Sequence, residues 1–253
     1  MKAAPLVAGT AVALALDLLL FEGVLAARRT YLAPEAAPDV TGAFGDPADP
    51  TVRLVVLGDS TAAGLGATAA HTTVGGQLAA RLASEGHHVV LQGFGVSGSR
   101  AGDLGPQVSR ALLSAPDAAV LLIGANDASH LSTGARMLTP LADAVRRLRA
   151  ADVPVVLGTC PDLLGPRAFL RPLRDLHAAV GRRVAARQTE VATASGAVAV
   201  DLARLTGPAF RADPTTLAED LFHPSDRGYA LWADALLPAL RGQVGLRLPA
   251  GGS

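Results

Sequence analysis

Cysteine, aromatic residues and net charge are all scarce in this chain. Its single cysteine, Cys160, excludes an internal disulfide and leaves the redox compartment open. Cys160 follows the apolar run Pro154 to Gly158, which reads as a buried thiol at a strand end rather than a reactive one. Aromatic residues make up 4% of the 253 residues, so base-stacking platforms have little material. Lys plus Arg and Asp plus Glu number 22 each, and the resulting net charge of zero argues against a nucleic-acid partner, whose binding needs a basic surface. The arginine pairs Arg146-Arg147 and Arg182-Arg183 fall on helical patterns and read as solvated faces. Six histidines (His71, His87, His88, His130, His177 and His223) show no ligand-like spacing with cysteine or carboxylates, so no metal site is expected.

What the chain has instead is apolar material. Half of its residues are hydrophobic and 17% are charged, enough for one large core and against global disorder. Ala3 to Ala27 is almost continuously apolar, with Lys2 before it and Arg28-Arg29 behind, and residues 1–29 read as a signal peptide or membrane anchor. The small residues around Val24-Leu25-Ala26 suit signal cleavage, whereas Asp17 and Glu22 weigh against a stable span. A protein secreted or anchored outside the cytoplasm is therefore expected, and membrane association through residues 3–27 goes with it. A buried N-terminal helix of a cytoplasmic protein is the alternative. Residues 30–50, with Pro34, Pro38, Pro47 and Pro50, read as a linker, and residues 247–253 as a loose tail.

Between them, residues 51–246 alternate short apolar runs with helical patterns and contain no visible internal repeat. Five runs qualify as strands: Arg53 to Leu57, His88 to Gln92, Ala118 to Ile123, Pro154 to Gly158 and Ala197 to Asp201. Helical patterns lie near Val74 to Glu85, Leu104 to Ser114, Ala135 to Ala150 and Arg167 to Ser195, and from Ser225, a plausible N-cap, to Leu240. This alternation predicts an α/β fold, a three-layer α/β/α sandwich around a parallel five-stranded sheet, for which 2-1-3-4-5 is a common order. Ligands of such sheets sit beyond the carboxyl ends of the strands, so chemistry-bearing residues are sought just after each strand.

Ser60, in Gly58-Asp59-Ser60-Thr61 after the first strand, suits either a nucleophile or an ordinary helix cap. The second strand leads into Gly93-Phe94-Gly95-Val96-Ser97-Gly98, which has the lettering of a dinucleotide-binding loop. The acidic residue such a loop requires is misplaced, since Asp117 stands at the start of the next strand rather than its end. The remaining readings are a tight turn, or a loop whose Gly98 amide approaches a developing oxyanion. Asn126, after the third strand, suits oxyanion binding or turn chemistry. Asp220, three residues before His223, can reach the imidazole Nδ1 and leave Nε2 free to take a serine proton. Asp213 and Asp226 are rival partners for His223, and spacing favours Asp220. In the expected strand order Ser60, Gly98 and Asn126 converge on one patch.

This set of blocks resembles the SGNH, or GDSL-like, hydrolase family, whose key residues Ser, Gly, Asn and His are matched in order by Ser60, Gly98, Asn126 and His223. Two departures stand out. The first block reads Gly-Asp-Ser-Thr, and Gly93 stands where the second block has asparagine, which removes a supporting hydrogen bond. The resemblance implies a flavodoxin-like fold and ester hydrolysis through an acyl-enzyme. Ser60 would be the nucleophile, His223 the base, Asp220 its orienter, and the Ser60 and Gly98 amides with the Asn126 side chain the oxyanion hole. It also implies a small-molecule, lipid or O-acyl glycan ester as substrate, with neither metal nor cofactor. An acyltransferase or thioesterase using the same triad is the alternative, and a non-catalytic anchored binding module a third reading. The loops 128–134 and 162–172 would line the pocket.

Overall fold

The computed structural model describes residues 17–19, 21–26 and 28–245. Six strands form one sheet: β1 (Thr41–Phe44), β2 (Thr51–Gly58), β3 (His88–Gly93), β4 (Ala118–Leu122), β5 (Val155–Gly158) and β6 (Val198–Val200), in the order β1-β3-β2-β4-β5-β6. The last five are mutually parallel and have the expected order. The difference is β1, which pairs antiparallel with β3 at the sheet edge, Thr41 opposite Gln92 and Phe44 opposite Val89. It lies inside the stretch read as a linker. Four residues flanked by prolines carry too little alternation to announce a strand, and the neighbouring Val40 side chain, packed into the core, holds the segment down.

Among the described residues, seven helices flank the sheet: α1 (Val74–Ala83), α2 (Leu104–Leu112), α3 (Ala125–Ser129), α4 (Ala135–Ala150), α5 (Leu173–Ala194), α6 (Leu202–Ala212) and α7 (Asp226–Gly245). Strand alternation assigns the two faces. Val52, Leu54 and Val56 of β2 point to a core shared with α1 and α7, through Leu78, Leu82, Trp232 and Leu236. Val55 and Leu57 point the other way, to a core with α2, α4 and α5 through Val108, Leu141, Leu148 and Val184. With both faces covered, the central strands read as continuous Val, Leu and Ala, and every residue of β4 and β5 is buried.

Side-chain caps start several of these helices. Thr73 Oγ1 accepts from Gly76 N at 3.0 Å at the head of α1, and Asp201 Oδ1 from Arg204 N at 2.9 Å at the head of α6. Ser225 Oγ accepts from Gly228 N at 3.3 Å, as expected of the cap of α7. α5 begins at Leu173 rather than near Arg167, because Pro166 and Pro172 interrupt helical hydrogen bonding and a residue before proline avoids the helical region.

Residues 17–19 and 21–26 are helical, and most of the apolar stretch 3–27 lies outside the described residues, as does the tail at 247–253. Among the described residues, no helix is long and apolar enough to cross a membrane.

Candidate active site

Ser60 follows the end of β2, the strand between β3 and β4. The turn that carries it begins at Gly58, whose φ of +140° and approach to β4 exclude a side chain: a Cβ there would sit 1.7 Å from the Leu122 carbonyl oxygen. The Asp59 amide donates to that same carbonyl at 3.0 Å. Asp59 is buried, and its Oδ1 accepts from the Thr61 amide at 2.9 Å and the Thr61 hydroxyl at 2.7 Å, closing the turn around Ser60. Burial pushes the Asp59 carboxyl up to about 6 against those two hydrogen bonds.

The opposite wall comes from the other end of the chain. An isolated bridge pairs Leu217 with Pro224, and the Ala218 amide donates to the His223 carbonyl at 2.9 Å, so residues 217–224 form a tight turn. Leu221 adopts φ +56° at its tip. Folding back in this way puts the Asp220 carboxylate under the backbone: Oδ1 accepts from the Phe222 and His223 amides, both at 3.0 Å. Its Oδ2 lies 2.6 Å from His223 Nδ1, and His223 Nε2 lies 3.1 Å from Ser60 Oγ. Although burial raises the Asp220 carboxyl, hydrogen bonds from the His223 side chain and the two amides outweigh it and hold the group at about 2. Asp220 is thus ionised throughout the neutral range and fixes the tautomer with a proton on Nδ1. The rival carboxylates are engaged elsewhere, Asp213 with Thr215 and Arg227, Asp226 with Thr68.

Gly98 sits in the loop after β3 with φ +81°. Among the described residues neither its amide nor that of Ser60 has a hydrogen-bond partner. Gly95 lets this loop approach the Ser60 turn, since a Cβ there would meet Ala63 N at 2.5 Å. Asn126 lies at the start of α3 and donates one Nδ2 proton to the Ser99 carbonyl at 2.9 Å, tying the third loop to the second and leaving the other proton available.

Several supporting residues have no sequence signature. Gln107 of α2, fully enclosed, accepts from Gly58 N at 2.8 Å and donates to Gly58 O at 2.9 Å and Ser99 Oγ at 3.2 Å. Asp127 accepts from the Ala101 amide at 3.0 Å. Gln188 accepts from Cys160 N and donates to Ile123 O, both at 2.7 Å, joining the ends of β4 and β5. Cys160 itself is buried, and burial raises its thiol far above the ordinary range. Asp117 pairs with Arg53 at the start of β4, on the far side of the sheet from the glycine loop, as the sequence order required. A second serine–histidine pair, Ser129 Oγ with His177 Nε2 at 2.8 Å, has no carboxylate bonded to it among the described residues, and burial lowers His177 to about 4.

A largely apolar cavity of about 40 Å³ opens beside Ser60, Asn126 and His223 and runs back to Leu163, Phe210 and Trp232. Loop 162–172 contributes to it, through Asp162, Leu163 and Pro166; loop 128–134 does not.

A hydroxyl bonded to an imidazole that is bonded in turn to a buried carboxylate, at the carboxyl edge of a parallel sheet, defines a site of the serine hydrolase class. Within that class, the chain belongs to the GDSL-like lipase/acylhydrolase family, whose model matches residues 56–231. It is 38% identical over 194 residues to a GDSL-like esterase of Mycobacterium tuberculosis, covering 75% of this chain and 62% of that relative. Among solved structures it resembles a lipolytic G-D-S-L family protein of Veillonella parvula (TM-score 0.60, 18% identity, 78% of this chain and 99% of that one). It also resembles an acetylxylan esterase of Geobacillus stearothermophilus (TM-score 0.54, 22% identity, 78% and 95%). These two likenesses establish the shared fold.

Proposed function

We propose that this protein hydrolyses carboxylic esters of short acyl groups through an acyl-enzyme on Ser60. The observation that carries the reading is the unbroken chain Ser60 Oγ, His223 Nε2, His223 Nδ1, Asp220 Oδ2, with spacings of 3.1 and 2.6 Å. In this reading His223 takes the Ser60 proton as Oγ attacks the ester carbonyl, and Asp220 stabilises the imidazolium that forms. The Ser60 and Gly98 amides and the spare Asn126 Nδ2 proton receive the oxyanion. His223 then protonates the departing alcohol, and water, deprotonated by the same imidazole, releases the acid and restores Ser60. Family membership and the similarity to a GDSL-like esterase support the ester bond as the target. The size of the cavity supports a short acyl group: about 40 Å³ accommodates only a few water-sized positions. An exported or membrane-anchored location belongs to the same reading and rests on the apolar stretch 3–27; mass determination of the mature N-terminus and cell fractionation test it.

The reaction is tested by hydrolysis of p-nitrophenyl butyrate by the full chain and by Ser60→Ala. The expected result is turnover in the wild type that disappears with the hydroxyl. Equal turnover in both proteins would remove Ser60 as nucleophile.

A further inference from the structure

Beside the acyl cavity lies a second, larger cleft of about 540 Å³, and four of the residues that line it are arginines: Arg167, Arg171, Arg174 and Arg211. Two of them are neutralised, Arg171 by Asp175 at 3.4 Å and Arg211 by Asp162. Arg167 and Arg174 have no carboxylate partner among the described residues. Among the described residues the Arg167 guanidinium donates only to the Arg211 carbonyl, at 3.4 Å, and the buried Nε of Arg174 has no hydrogen-bond partner. A guanidinium proton left unpaired away from water is costly, and two uncompensated cations on one concave wall form a site that an oxyanion would complete. We infer that this cleft binds a phosphate monoester carried by the alcohol part of the ester substrate.

Position and charge both support that assignment, which rests on the esterase reading above. The cleft shares its wall with the catalytic cavity: Arg211 is bonded to Asp162, which lines the acyl cavity together with Ser60. Phe169, on the cleft side, packs edge-on against Phe222 at 5.7 Å, and Phe222 is the neighbour of His223. The narrow apolar cavity takes the acyl group, which leaves the arginine side for the alcohol. Two guanidinium groups with no carboxylate partner among the described residues match the charge of a phosphate monoester, roughly −1.5 to −2 at neutral pH, better than that of a single carboxylate.

The test compares 1-butyrylglycerol 3-phosphate with neutral 1-butyrylglycerol on the full chain. The wild type is expected to favour the phosphorylated ester by about tenfold or more in kcat/KM, with that preference collapsing in Arg167→Gln/Arg174→Gln and at high salt. A wild-type ratio near one, or a ratio kept by the double variant, overturns the assignment. A parallel arm does not depend on turnover: calorimetric binding of glycerol 3-phosphate to the Ser60→Ala protein, with glycerol as control. Binding of the phosphate alone that is lost in the arginine variants supports the cleft even if neither ester is cleaved, a result that would count against the esterase reading only. Absence of binding, or binding retained after both arginines are replaced in a protein of unchanged thermal melting, overturns the cleft.

Discussion

His223 is set up by what lies behind it. Asp220 accepts three backbone amides, those of Phe222, His223 and Leu32, and the imidazole, so its charge is held by hydrogen bonds as well as by its partner, and its carboxyl stays near 2. Replacing it by Asn keeps the shape and reverses the hydrogen-bonding demand on Nδ1, which favours the wrong tautomer. Asp220→Asn should lower kcat on p-nitrophenyl butyrate by roughly 10³- to 10⁴-fold. Asn126→Ala, which removes one donor of the proposed oxyanion hole, should lower it by about 10²-fold with little change in KM. Asp59 differs in sign from Asp220. Its folded-state value of about 6 lies above the unfolded value of 3.8, so its contribution favours folding at low pH and is lost as pH rises through about 6. Asp220, depressed below 3.8, contributes stability above that value that is lost as pH falls through about 2. Asp59→Asn should therefore gain stability relative to wild type between pH 4 and pH 8, by about 3 kcal/mol at most, read from urea midpoints at the two pH values. A constant difference would mean that Asp59 does not titrate in that window.

The elements hold the site by joining loops that belong to different strands. Gln107, buried in α2, satisfies both the N–H and the C=O of Gly58 and reaches Ser99, so one amide side chain fixes the first loop against the second. Gln107→Leu leaves the Gly58 N–H buried and unpaired, at about 1–3 kcal/mol, while the Gly58 carbonyl keeps the Val96 amide at 3.0 Å. Its urea midpoint should fall accordingly, and kcat should fall with it because the Ser60 turn loses its anchor. Gly95 acts by having no side chain. A Cβ would collide with the backbone of Ala62 and Ala63, so Gly95→Ala must push the Gly98 loop away from Ser60. A loss of kcat larger than the loss of stability is the expected signature, measured as esterase activity beside thermal melting.

At the scale of the whole molecule, the N-terminal part of the described chain lies against the turn that carries Asp220 and Phe222 and against the head of α5. The Leu32 amide donates to Asp220 Oδ2 at 3.3 Å, Tyr31 packs edge-on against Phe222 at 5.2 Å, and Glu22 Oε2 accepts from the Leu173 amide at 2.8 Å. Tyr31→Ala is accordingly expected to reduce kcat several-fold while changing thermal stability by no more than about 1 kcal/mol; an unchanged kcat would show that this contact does not position Asp220. None of these contacts is legible in the sequence, since Tyr31 and Leu32 lie among prolines with no periodicity. Local pattern also missed β1, too short to alternate visibly, and α6, whose Pro208 and Gly207 mask a helix that Asp201 caps. What the sequence by itself determined is the parallel sheet and the succession of blocks around Ser60, Gly98, Asn126 and Asp220-x-x-His223. Doubly covered strands must be continuously apolar, and chemistry in such sheets must follow strand ends, so both are written locally. Only the tertiary structure decided which carboxylate faces His223, which buried glutamines clamp the loops, and that four arginines of one loop and two helices share a cleft. Those are pairings between residues far apart in the chain, and no local pattern records them.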